Sequence, residues 1–147
     1  YWAQKVVSQN DAEIEYLLAE LYFNGLGTIK NEAEAVIYYE KAALQGHIKA
    51  QEILADCYYN GVGIKQDYKK AVEWYEKLAE SGLSTAQYNL AKCFFKGQGI
   101  NQDYKKAIFW YQKAAAQNNA EAQNMLGRCY EESLGVNKNN AIAFYLF

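Results

Sequence analysis

The chain has 147 residues, 51% of them apolar and 22% charged, with 15 basic against 17 acidic side chains and a formal net charge of −2. That apolar content excludes a disordered tail, and the charge balance leaves no surplus of cations for phosphates, against a nucleic-acid binder or a polybasic membrane-surface domain. No apolar run approaches the roughly 18 residues a membrane-spanning helix needs, and the opening Tyr1-Trp2-Ala3-Gln4-Lys5 is neither a basic lead-in nor an apolar signal core.

The chain repeats itself with a period of 36. Residues 48–83 and 84–119 align without a gap, with half of their positions identical. One period back, 12–47 places Tyr22, Gly25, Gly27, Ala35, Tyr39 and Gly46 in register. One period forward, a fourth copy begins at Ala120, keeps Ala122, Leu126, Gly127, Tyr130 and Gly135, loses two residues after Val136, and resumes at 141–145. Trp2 falls at the Trp position of a second helix. The expected organisation is therefore one solenoid segment: 1–11 ends a preceding repeat, 12–47, 48–83 and 84–119 are full repeats, and 120–147 is a partial one. Neither end carries a polar capping repeat, so the segment reads as part of a longer array.

Each repeat carries two helical patterns. In the first helix Ala50, Leu54, Ala55 and Tyr58 recur at helical spacing on one stripe. Ser84 with Gln87 reads as a capping box for one copy. The doublet Gly61-Val62-Gly63, repeated as Gly25-Leu26-Gly27 and Gly97-Gln98-Gly99, ends that helix through left-handed residues. The second helix starts from Asn31, Asp67 or Asp103 as N-cap, and Ala71, Trp74, Tyr75, Leu78 and Ala79 continue a buried stripe. Gly46 and Gly82 close it. Two such helices cannot bury their apolar faces alone, so neighbouring repeats must stack into a continuous core. An all-α solenoid of antiparallel helix pairs follows. Glycine breaks the chain throughout, which accounts for the absence of proline.

The pattern carried by Leu54, Ala55, Tyr58, Gly61, Gly63, Asp67, Lys70, Ala71, Trp74, Tyr75 and Lys77 resembles the Sel-one-like repeat (SLR), a relative of the tetratricopeptide repeat. The first repeat departs from it at Thr28, Asn31 and Tyr38, and the fourth has Ser133 where the first glycine stands. The resemblance implies a right-handed superhelix whose first helices line a concave face. It also implies a scaffold or adaptor in complexes at membranes, in signalling or in bacterial host interaction.

Chemistry-bearing residues are sparse. Cys57, Cys93 and Cys129 stand 36 residues apart at one repeat position, so they read as small buried residues rather than as a disulfide or metal set. Their spacing favours a reducing compartment such as the cytoplasm. His47, the single histidine, caps the next helix or is solvated. The glycine doublets follow helices and lack the lysine of a phosphate loop, so they read as turns. With no nucleophile–base pair, the chain is not read as an enzyme, and no cofactor or metal is expected.

Phe23, Tyr59 and Phe95 lie one residue beyond the buried tyrosine position, rotated by about 100° toward the side expected to be concave. Mapping the first helices onto that side gives Tyr16, Glu20, Phe23 and Asn24, then Glu52, Asp56, Tyr59 and Asn60. Tyr88, Lys92, Phe95 and Lys96 follow, then Asn124 and Arg128. Acidic residues dominate the first half and Lys92, Lys96 and Arg128 the second. Aromatic anchors with oriented charge suit a protein or peptide ligand, with neither nucleic acid nor direct membrane insertion expected. On a plainer reading, the aromatics brace neighbouring helices and the charges solvate a face. A structural spacer or regulatory arm of a larger protein is the alternative function.

Overall fold

The computed structural model describes residues 2–27 and 29–134, with side chains described from residue 11 onward. Seven α-helices run through the described residues: α1 (Trp2–Asn24), α2 (Glu32–Leu44), α3 (Ile48–Asn60), α4 (Tyr68–Glu80), α5 (Ser84–Lys96), α6 (Tyr104–Ala116) and α7 (Ala120–Glu131). They group into two compact units, Tyr1–Trp74 and Tyr75–Phe147, with the boundary inside α4. The partial-repeat turn at Gly135-Val136, residues 141–147, Thr28 and the Trp2 side chain lie outside what is described.

The turn chemistry follows the local sequence. Asn31 and Asp103 cap α2 and α6, accepting from the Glu34 and Lys106 amides, and the Asp67 carboxylate accepts the Lys70 amide at the start of α4. α3 and α5 end at Gly61 and Gly97 in left-handed geometry, φ 71° and 70°, each amide donating to a cysteine carbonyl four residues back. In the fourth copy Ser133 adopts the same left-handed backbone, φ 55°, without being glycine. Asn118 does likewise, φ 66°, at the register position of Gly46 and Gly82. Asn10 occupies that position one repeat earlier, yet α1 runs through it unbroken. Residues 2–11, read as the tail of a preceding repeat, are thus continuous with the first helix of 12–47. Asparagine tolerates the left-handed region but does not impose it.

The Ser84–Gln87 capping box is not formed. Leu83 is the N-cap of α5 and makes no side-chain cap bond, while Ser84 is already helical. Gln87 is instead buried and donates to the Ala79 carbonyl at 3.2 Å, as Gln51 donates to Ala43 at 3.0 Å. Each amide ties the last turn of a second helix to the first helix that follows.

In the first unit α1 and α2 pack antiparallel: the Asn31 amide reaches Tyr22 O at the near end, and Gln45 reaches Glu15 at the far end. In the second unit Asp103 meets Phe94 O and Gln117 meets Gln87, which orients α5 and α6 the same way. The cores alternate small and large residues. Ala35, Ala50, Ala71, Ala86 and Ala107 let backbones approach, and Tyr39, Leu54, Tyr75, Leu90 and Tyr111 fill the space between. Tyr22, Trp74 and Trp110, expected in the core, are only half-buried. Tyr22 stacks on Tyr38 at 5.7 Å, and Trp110 meets Phe109 edge-on at 5.2 Å with Lys113 over its ring.

Gly63 marks a close backbone approach between repeats in the first unit. A Cβ built there would collide with the Glu32 carbonyl oxygen and lie 2.9 Å from Val36 Cγ2. The turn between α3 and α4 rests directly on the first turn of α2.

Candidate functional site

In the first unit, α1, α2 and α3 line an open hollow of about 330 Å³. Glu20 and Asp56 line it together with Asn24 and Asn60, all four from first helices. Its apolar lining comes from Phe23, Tyr39, Ile53, Cys57 and Val62. Five of the fourteen residues expected on a partner-facing surface, Glu20, Phe23, Asn24, Asp56 and Asn60, thus meet around one hollow. The sequence reading missed Tyr39 as a lining residue. It is a repeat-consensus tyrosine buried to 1% exposure, and its phenol reaches Glu20 on α1.

The Tyr39 hydroxyl donates a hydrogen bond to Glu20 Oε1. Burial, followed by that bond to a carboxylate, raises the Tyr39 pKa far above the ordinary phenol range. Asn24 donates from its side-chain amide to Glu20 O at 3.0 Å, holding it at the end of α1. Phe23 packs edge-on against Tyr39 at 6.1 Å, and Tyr16 is tilted against the same ring at 6.1 Å. Tyr16 also stacks on His47 at 4.4 Å. Its pKa is raised by burial and then by Glu20, Glu13 and Glu52. Tyr59 lies outside the hollow and packs edge-on against Tyr68, while Glu52 pairs with Lys49 at 3.6 Å.

His47 is a structural residue. Its Nδ1 accepts the Ala50 amide at 3.1 Å as the N-cap of α3, and its Nε2 faces Glu13 Oε2 at 2.9 Å. Accepting at Nδ1 fixes the neutral tautomer with the proton on Nε2, so the ring donates to the carboxylate.

In the second unit the same aromatic arrangement recurs 72 residues on. Tyr88 is tilted against Tyr111 at 5.8 Å and Phe95 packs edge-on against it at 6.5 Å, matching Tyr16, Phe23 and Tyr39. The charges are reversed. Lys92 stands at the register position of Glu20 and lies over the Tyr88 ring at 5.7 Å; Lys96 replaces Asn24, and Arg128 replaces Asp56. Lys96, Asn124 and Arg128 are exposed, and Arg128 Nε donates to Glu132 Oε1 at 3.0 Å. Phe23, Tyr59 and Phe95 are each half-buried. They brace neighbouring tyrosines and still present ring surface to solvent.

Cys57, Cys93 and Cys129 are free and buried. Burial pushes the Cys57 and Cys93 thiols up to about 11 and raises that of Cys129. Among the described residues, no group of His, Cys, Asp and Glu could hold a metal ion, and no helix is long and apolar enough to cross a membrane.

Helix pairs on a 36-residue period, broken by left-handed turns and joined by buried glutamines, define an all-α helical-repeat protein. The chain belongs to the Sel1 repeat family: the family's sequence model, described as Sel1 repeat, matches residues 12–47, 48–83, 84–119 and 120–147. It is similar to a protective antigen of uropathogenic Escherichia coli strains that displays an SLR fold, with 40% identity and a TM-score of 0.85 over 96% of this chain. It is also similar to a Sel1 repeat protein from Oxalobacter formigenes, with 36% identity and a TM-score of 0.82 over 94% of this chain. The chain spans 30% and 58% of the lengths of those two proteins. Helicobacter pylori cysteine rich protein B shares the fold, with 23% identity and a TM-score of 0.61 over 83% of this chain and 93% of its own. No curated protein shows significant similarity to the chain. Sel1 repeats are helical scaffolds that commonly mediate protein–protein interaction.

Proposed function

We propose that the chain is a non-enzymatic interaction module that binds an extended peptide or a partner's surface through its first helices. In this reading Tyr16, Glu20, Phe23, Asn24, Glu52, Asp56, Tyr59 and Asn60 serve in the first unit, and Tyr88, Lys92, Phe95, Lys96, Asn124 and Arg128 in the second. The segment acts within a longer repeat array. The observation that carries this is the recurrence of one aromatic arrangement, Tyr16–Phe23–Tyr39 and Tyr88–Phe95–Tyr111, with opposite charge beside it. Half-buried rings supply anchors at low entropic cost, and flanking charges fix which way a ligand lies.

The test is selection of peptides from a randomised library on the wild-type chain and on Lys92→Glu/Lys96→Glu/Arg128→Glu. Peptides carrying acidic residues should be enriched on the wild type and lost on the charge-reversed variant. A selected set unchanged by the reversal removes the second unit's basic residues from the site.

A further inference from the structure

The cavity in the first unit has a chemistry of its own. Glu20 lines it from α1 and Asp56 from α3, so two acidic residues from different helices border one space. None of the residues lining it is cationic. The remaining polar lining, Asn24 and Asn60, adds amide oxygens able to accept hydrogen bonds. Phe23 contributes a half-buried ring to the wall, and Tyr39 lines it from the core at 1% exposure. The Tyr39 hydroxyl donates to one Glu20 oxygen and thereby fixes where that carboxylate stands. At about 330 Å³ the hollow is at the small end of ligand pockets, a size for one long side chain rather than a whole small molecule.

We infer that this cavity is the specificity pocket of the first unit and takes the cationic side chain of a partner peptide, arginine in particular. Several acceptors at different points around the hollow match the planar, five-donor guanidinium better than a point-charge ammonium, and the half-buried Phe23 ring suits its flat face. The register supplies an internal contrast. Lys92, Lys96 and Arg128 stand in the second unit where Glu20, Asn24 and Asp56 stand in the first, so the same scaffold position would there repel the side chain that the first unit attracts. The inference rests on the peptide-binding reading and names the ligand chemistry of one part of it.

The experiment titrates the ¹⁵N-labelled full chain with acetyl-Gly-Arg-Gly-amide and with its citrulline counterpart, which keeps the shape and removes the charge. The arginine peptide should give saturable shifts at amides of residues 20–24 and 56–62 and bind about tenfold more tightly than the citrulline peptide, as charge-assisted hydrogen bonds require. Glu20→Gln and Asp56→Asn, which keep side-chain shape, should each erase that preference while leaving the remaining spectrum in place. Equal binding of the two peptides by the wild type overturns the inference without recourse to any variant, as do shifts confined to other residues. Such a result would leave the broader reading standing, because the library selection probes the second unit's residues independently.

Discussion

Gly63 is held in place twice over, by a left-handed φ of 71° and by the backbone of Glu32 lying where a Cβ would go. Gly27 has the same φ, 72°, with nothing within 4 Å of its would-be Cβ. The pair separates torsional strain from collision. Gly27→Ala should cost about 1 kcal/mol, the penalty for an L-residue in that region. Gly63→Ala should cost at least about 1 kcal/mol more, because a backbone rather than a flexible side chain must yield. Urea denaturation of both variants checks this, and equal losses would refute the close-packing explanation. The buried thiols give a second residue-scale expectation. Cys57 and Cys93 are raised from an ordinary value near 9 to about 11, so the folded chain holds these protons more tightly than the unfolded one. Their contribution to stability is therefore full below about pH 9 and is lost as pH rises from there through about 11. Stability measured across that window should fall more shallowly in Cys57→Ala/Cys93→Ala than in the wild type.

Between elements, the recurring device is the buried glutamine at the start of a first helix. Gln51 reaches back eight residues to Ala43 O, and Gln87 does the same to Ala79 O. Gln51→Met keeps most of the volume and loses the hydrogen bond, so it should destabilise by about 1 kcal/mol. A neutral result in thermal unfolding would mean that the contact is packing alone. These glutamines also show where sequence reading stops. Asp67, Asp103 and Gly61 are legible because a cap or a left-handed turn is a local matter, settled within four residues. Gln87 three residues after Ser84 has the local form of a capping box, but its amide is claimed by a carbonyl on the preceding helix. Trp74 and Trp110 mislead similarly: helical spacing places them beside the buried stripe, and only the packed neighbours decide that they stay at its margin. The hollow was half legible. Glu20, Phe23, Asn24, Asp56 and Asn60 share a face by register, whereas the part played by Tyr39 depends on three helices meeting.

Over the whole chain, charge is distributed unevenly. Residues 1–74 hold seven basic and eleven acidic side chains, a net of −4; residues 75–147 hold eight and six, a net of +2. The near-neutral total conceals two units of opposite sign. A peptide selected on the chain should therefore associate more slowly as salt rises, because exposed charges are screened beyond about 8 Å at physiological ionic strength. Stopped-flow measurements between low and high salt would show this chiefly in the association rate, and a rate indifferent to salt would mean that the charges do not steer binding.

The turns after α1 and α3 carry one further consequence, for chemical ageing. Exposed Asn24 and Asn60 each precede a glycine, the step in which the glycine nitrogen most readily attacks the asparagine side chain and releases ammonia. The Gly61 nitrogen is occupied, donating to Cys57 O at 2.8 Å. Deamidation at Asn60 must therefore wait for that turn to open, and its rate would serve as a clock for local fraying. Each event replaces a neutral amide with a carboxylate beside Asp56, so an aged preparation would carry a more acidic hollow than a fresh one.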